Sequence, residues 1–251
     1  MATAPEPNLE LARRVLPPPL LEALLHVFAQ KLSGCMLVGG TALAGFYAGH
    51  RRSDDIDLFV DDAGSLKAAV LAVQSLSAVG AQLSVSQSSA QYFHALCLYK
   101  GHRFTIDAAL HPGLSKIGTA ATIEEGLVVA DLKTITMMKA AALVSRCGEK
   151  DLYDLLWIKR QDQGLTAERL VELGQKIDAG ATVEGLLIGL SGATLHEESC
   201  DFSLDPALSK RFVFEAVSAF REELLSALLR LADGQPTPAL GALVKRIRRL
   251  N

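Results

Sequence analysis

Gly39-Gly40-Thr41-Ala42-Leu43, followed by Ser53-Asp54-Asp55-Ile56-Asp57-Leu58-Phe59-Val60, is the stretch on which the reading of this chain turns. Its second part alternates. Ile56, Leu58 and Val60 take one face of a strand, and Asp55 and Asp57 take the other. Side chains two residues apart on a strand stand roughly 7 Å apart. Two carboxylates at that spacing suit hard divalent cations, which take oxygen ligands. Alone, such a pair beside Asp54, Asp61 and Asp62 reads more readily as a solvated acidic edge. A calcium loop fits less well, because Phe59 and the lack of a glycine break its ligand register.

The glycine pair shifts that balance. Cys35 to Val38 is a short apolar run that reads as a strand, and Gly39-Gly40 ends it and opens a helix with Thr41 in its first turn. Glycine lets the backbone approach a ligand closely, and free N–H groups at a helix start favour phosphate. Gly-Gly-Thr by itself is only a tight strand-to-helix turn. With Asp55 sixteen residues after Gly39, the spacing supplies one short helix and a return strand, which bring cradle and carboxylates together. A third carboxylate repeats the pattern: Phe104, Ile106 and Ala108 point one way, Thr105 and Asp107 the other. If the two strands are neighbours, Asp107 completes a two-metal site with Asp55 and Asp57. Such sites stabilise the attacking and leaving oxygens of a phosphoryl displacement.

Around this stretch the chain has 251 residues, 49% apolar and 21% charged, enough for a core. Its net charge of −3 provides no global basic field, so a nucleic acid would be held by a local patch. Cys35, Cys97, Cys147 and Cys200 are scattered without a C-x-x-C pair and read as reduced, mostly buried residues of a cytoplasmic protein. Acidic and proline residues precede any apolar run, so no signal peptide is expected. No stretch approaches the ~20 apolar residues of a membrane span, and no membrane partner is expected.

Periodicity predicts helices at Leu20–Gln30, Thr41–Tyr47 and Leu66–Leu76, and strands at Ser53–Val60, Gln82–Ser86, Tyr92–Tyr99 and Arg103–Leu110. Lys100-Gly101-His102 is a hairpin signal. From Asp131, a plausible N-cap, the texture turns helical: a helix to about Arg146, then Glu149–Gln161, Ala167–Ile177, Val183–Leu190 and Pro206–Leu231. The expected domains are 1–128, α/β and catalytic, and 129–251, helical.

Gly39 to Leu43, and Gly49-His50-Arg51-Arg52-Ser53 running into Asp54 to Phe59, resemble the DNA polymerase β-like nucleotidyltransferase superfamily. More narrowly, they resemble the AbiEii/MenT toxin family of bacterial toxin–antitoxin and abortive-infection systems. A second block, Lys139 with Arg146 and then Lys150-Asp151-Leu152-Tyr153-Asp154-Leu155, is similar to that family's lysine helix and its R/K-D-x-x-D helix. The resemblance implies an α+β fold. A polymerase-β-like core, a mixed sheet with flanking helices, would be followed by a helical domain contributing Lys139 and Asp151 or Asp154 to the cleft.

Roles follow from residues and resemblance together. Asp55 and Asp57, with Asp107, would hold two Mg²⁺ ions. Gly39, Gly40 and Thr41 would cradle the triphosphate of an NTP. Lys139 either snorkels to water or, as the resemblance implies, contacts the triphosphate. Lys139 and Arg146 are two helical turns apart on one face, and Asp151 or Asp154 would orient one of them while the other is structural. Ser53 shares the aspartate face, where its hydroxyl would contact phosphate, make a strand-start hydrogen bond or, as the resemblance implies, be itself phosphorylated. Arg52 is a candidate phosphate clamp, beside His50 and Arg51. The other histidines (His26, His94, His102, His111 and His196) lack metal-ligand spacing and receive no role. Lys245-Arg246-Ile247-Arg248-Arg249 is a basic run fitting either RNA backbone or a solvated helix end.

The resemblance thus implies a Mg-dependent toxin that adds NMP from an NTP to an RNA acceptor such as the tRNA 3′ end, with a cognate antitoxin as partner. Two rival readings stand beside it. One is a nucleotidyltransferase acting on a small molecule or protein hydroxyl, and the other a non-catalytic nucleotide- or partner-binding relative.

Overall fold

The computed structural model describes residues 5–237, 240 and 241; the basic run at 245–249 lies outside the described residues. The chain divides into two compact units, Met1–Ile135 and Thr136–Asn251.

The first unit is built on one mixed sheet. Its strands are β1 (Cys35–Val38), β2 (Asp55–Val60), β3 (Gln82–Ser88), β4 (Tyr92–Tyr99), β5 (His102–Leu110), β6 (Ala120–Thr122) and β7 (Val128–Ala130). They lie in the order β3-β4-β5-β2-β1-β7-β6. The alternation in β2 fixes its two faces: Ile56, Leu58 and Val60 are buried, while Asp55, Asp57 and Phe59 are half-buried. β5 runs parallel to β2 and β1 antiparallel to it. β4 and β5 form a hairpin whose turn residues, Lys100 and Gly101, both have positive φ (48° and 79°), as a two-residue turn requires.

Helices cover the apolar face. α1 (Leu9–Val15) is capped by Asn8, whose side chain accepts from Leu11 N. α2 (Pro18–Phe28) starts on prolines, tolerated there because a first-turn N–H has no helical partner, and buries Leu20, Leu24, Val27 and Phe28. α3 (Gly39–Leu43) begins on the glycines themselves and widens into one π turn that Gly49 closes at φ 59°. α4 (Ala63–Gln74) is capped by Asp62, which accepts from Ser65 N at 2.8 Å. α2 and α4 pack against the sheet, whose buried residues include Ile56, Leu58, Phe93, Ile106 and Ala108. A short α5 (Leu114–Ile117) follows β5.

The short strands and the boundary between the units differ from the sequence expectation. β6 and β7 have three residues each, too few to display alternation, and had no counterpart in the reading. β7 pairs with β1 through Val129 and Leu37, so the first unit extends beyond residue 128 and ends at Ile135. The division falls inside α6 (Leu132–Ser145), which Asp131 caps by accepting from Thr134 N at 2.7 Å, as expected.

The second unit is helical: the rest of α6, α7 (Glu149–Gln161), α8 (Ala167–Gly174), α9 (Val183–Gly192) and α10 (Lys210–Ala232). α10 packs against α7, α8 and α9. It starts at Lys210 rather than near Pro206, because Ser209 is the cap that accepts from Phe212 N. α9 and α6 touch backbone to backbone, since a Cβ on Gly189 would lie 2.0 Å from the Leu143 carbonyl oxygen. All four cysteines are buried with free thiols. Among the described residues, no helix is long and apolar enough to cross a membrane.

Candidate active site

The parallel pairing of β2 and β5 sets Asp57 directly opposite Asp107 and Asp55 opposite Thr105. On the far side of β5, His94 faces Asp107 and Leu96 faces Thr105. One sheet face therefore carries two rows: His94, Asp107, Asp57 and Val38 in one, Leu96, Thr105 and Asp55 in the next. Within them Thr105 donates to Asp55 Oδ1 at 2.7 Å. Tyr92 Oη and His94 Nδ1 both hydrogen-bond Asp107 Oδ1, the imidazole at 2.8 Å. Burial first, then the bond to Asp107, pushes the Tyr92 phenol up to about 12, so it remains a donor.

The glycine turn lies on this face. Gly39 has φ +71°, and a Cβ there would stand 2.0 Å from Asp57 Oδ2. At Gly40 a Cβ would meet Arg51 Nη2 at 2.6 Å and Ser53 Oγ at 3.1 Å. Bare backbone is thus required for the turn to lie against a carboxylate on one side and a guanidinium on the other. Thr41 is fully buried, its hydroxyl hydrogen-bonded to Ser53 Oγ at 2.9 Å and to the Asp55 carbonyl oxygen. Those bonds tie α3 to the entry of β2. Thr41 is wholly enclosed and presents neither hydroxyl nor backbone to the surface. Ser53 is 3% exposed, so a modifying enzyme would have to reach a buried hydroxyl.

Arg51 and Arg52 separate clearly. Arg52 is exposed. Arg51 is 3% exposed, with Nη1 donating to the Arg52 carbonyl at 2.9 Å. The signal for Arg51 was present in the sequence: Arg51, Ser53, Asp55 and Asp57 follow one another at steps of two, and so share one face of an extended chain. Tyr92 and His94 carried the same kind of signal. They alternate with the buried Phe93 and Ala95, but nothing local said which strand β4 would pair with.

The donor set fits a hard divalent cation. Neighbouring strands lie ~4.8 Å apart. Asp57 and Asp107 occupy such neighbouring positions, with Asp55 two residues along the same face, so three carboxylates offer oxygen donors of the kind such a cation takes. Among the described residues, no three His, Cys, Asp or Glu side chains already converge as a ligand cage. Asp55 and Asp107 instead spend one oxygen each on Thr105, Tyr92 and His94.

In the second unit, Lys139 on α6 lies 2.8 Å from Asp151 Oδ1 and 2.7 Å from Asp154 Oδ2, both on α7. Asp154 is fully buried and Lys139 5% exposed. Arg146, its side chain 73% exposed, brings Nε to 3.5 Å from Asp151 Oδ2. Both aspartates engage the lysine, where the sequence had suggested one. Neither is the helix cap, since α7 is capped at Gly148. The carboxylates of Asp151 and Asp154 supply the negative charge that a buried ammonium requires.

Residues 21–246 match the family model described as nucleotidyl transferase AbiEii toxin, type IV TA system. Among solved structures, the nucleotidyltransferase toxin MenT4 from Mycobacterium tuberculosis H37Rv is similar at 15% identity and a TM-score of 0.56, over 82% of this chain and 81% of that one. JHP933 from Helicobacter pylori matches at 16% identity and a TM-score of 0.48, over 90% of this chain and 96% of that one. No curated protein matches. At such identities the MenT4 likeness speaks to fold: the mixed sheet with flanking helices and the helical C-terminal region form a nucleotidyltransferase-toxin fold. The chain belongs to the AbiEii nucleotidyl transferase toxin family and is a nucleotidyltransferase.

Proposed function

We propose that this enzyme transfers a nucleoside monophosphate from an NTP to a hydroxyl of an RNA acceptor, the tRNA 3′ end being the reading preferred. The observation that carries it is the setting of Asp57. Its carboxylate lies in register with Asp107, two residues from Asp55, and against the bare backbone of Gly39. Acidic ligands and a phosphate-approachable turn are thus adjacent, which is what transfer from a triphosphate needs.

Asp55, Asp57 and Asp107 are the residues that would hold a hard divalent metal, Mg²⁺ in this reading. Bound there, the metal would supply Lewis-acid stabilisation of oxygens on the transferring phosphorus. Gly39 and Gly40 admit the triphosphate to the backbone. Arg51, buried at Gly40, supplies a fixed positive charge beside that turn. Lys139, oriented by Asp151 and Asp154, is the second functional cation of this reading, with Arg146 balancing Asp151. The family description, a type IV toxin, supports an antitoxin as cognate partner and growth arrest as the outcome of unopposed activity.

The test incubates purified protein with each α-labelled NTP in turn, Mg²⁺, total tRNA and, separately, a protein lysate. The expected result is label on tRNA with one NTP preferred. Label confined to protein or to small molecules overturns the RNA acceptor and leaves nucleotidyl transfer standing.

A further inference from the structure

We infer that Tyr92 and His94 are positioning residues for the acidic centre, binding one oxygen of Asp107 and leaving the other for the metal. The inference rests on the proposed role of Asp107. Tyr92 and His94 alternate onto the aspartate face of β4, and their rings stack at 6.5 Å between centroids with 13° between planes. His94 stands directly opposite Asp107, and Tyr92 stands opposite Ala109, two residues along β5. Both bonds fall on Oδ1; among the described residues, none falls on Oδ2.

An ionised carboxylate only accepts, so the imidazole proton sits on Nδ1 when His94 makes this bond. The two donors then fix the rotation of the carboxylate about its own axis. Asp107 is left with a single uncommitted oxygen and becomes a one-oxygen ligand rather than a chelating one. Asp55 is treated the same way by Thr105, which occupies its Oδ1 at 2.7 Å. Partners of this kind, one step removed from a metal, typically change metal affinity or activity by ~10–100-fold when deleted.

The test measures Mn²⁺ binding by electron paramagnetic resonance on purified protein, alongside the Mn²⁺ needed for half-maximal nucleotidyl transfer. Tyr92→Phe combined with His94→Leu is expected to weaken Mn²⁺ binding by ~10–100-fold and to raise the Mn²⁺ requirement. Saturating metal should restore most of kcat. His94→Asn, which keeps a donor near the Nδ1 position, is expected to stay within a few-fold of wild type. If the double variant unfolds, Tyr92→Phe alone, which removes one oxygen, decides by the same shift in Mn²⁺ binding. Unchanged Mn²⁺ binding in folded Tyr92→Phe and in the double variant overturns the inference. Asp57→Asn separates the two layers: if it loses Mn²⁺ while the β4 variants do not, the positioning role fails and the acidic centre stands. If Asp57→Asn itself binds Mn²⁺ and transfers as wild type does, the acidic centre fails with it.

Discussion

At the scale of single residues, Gly39 is the most exacting position in the site. A side chain there meets both a left-handed backbone and the Asp57 carboxylate at 2.0 Å. Gly39→Ala is expected to abolish nucleotidyl transfer and to lower stability by at least about 1–2 kcal/mol from backbone strain alone; label transfer and urea denaturation check the two effects separately. Asp62 offers a pH test. Hydrogen bonds from Ser65, the backbone one foremost, hold its carboxyl below the usual 3.8. A depressed folded value means that its contribution is present above the unfolded value and is lost as pH falls through the folded one. The thermal midpoint of Asp62→Ala should therefore lie below that of wild type at neutral pH, with the gap closing only below about pH 4. Alternation alone set Asp55, Asp57 and Asp107 opposite the apolar side chains of their strands, and it took the glycine pair and the family resemblance to suggest a common centre. The step of two that places Arg51 with Ser53, Asp55 and Asp57 was in the sequence, but it separates Arg51 from Arg52 only if the chain is extended before Asp55 as well.

Most elements with a clear period or apolar run were readable, and three-residue strands were not. β2, β4 and β5 each span at least six residues and alternate cleanly, whereas β6 and β7 are too short to do so. The neighbouring of β2 and β5 is a crossover between strands far apart in sequence, and no local pattern dictates it. That single register set Asp107 beside the Asp55–Asp57 pair. In the helical unit, Lys139 on α6 is ion-paired with both Asp151 and Asp154 on α7. Removing one partner of a buried ion pair typically costs 3–5 kcal/mol. Asp154→Ala should destabilise by about that amount, and adding Lys139→Met should recover part of the loss, since Asp151 retains Arg146. Urea denaturation of the single and double variants checks this. Gly189→Ala should separate α9 from α6, with a cost of about 1–3 kcal/mol by the same measurement.

For the whole molecule, the two sequence blocks that pointed to the toxin family fall in different units: the glycine–aspartate stretch in Met1–Ile135, the lysine block in Thr136–Asn251. The family match spans both. The acceptor was not legible, because RNA, protein and small-molecule hydroxyls make the same demand on a carboxylate centre. What selects among them lies in surfaces no short motif encodes. The central claim is narrower, that the aspartate face of β2 and β5 performs nucleotidyl transfer. It is tested most directly by the transfer of α-labelled nucleotide to tRNA with wild-type protein and Asp57→Asn, after thermal unfolding has shown both to be folded. Label with wild type and none detectable with Asp57→Asn is the predicted result; equal label from the two proteins would contradict it.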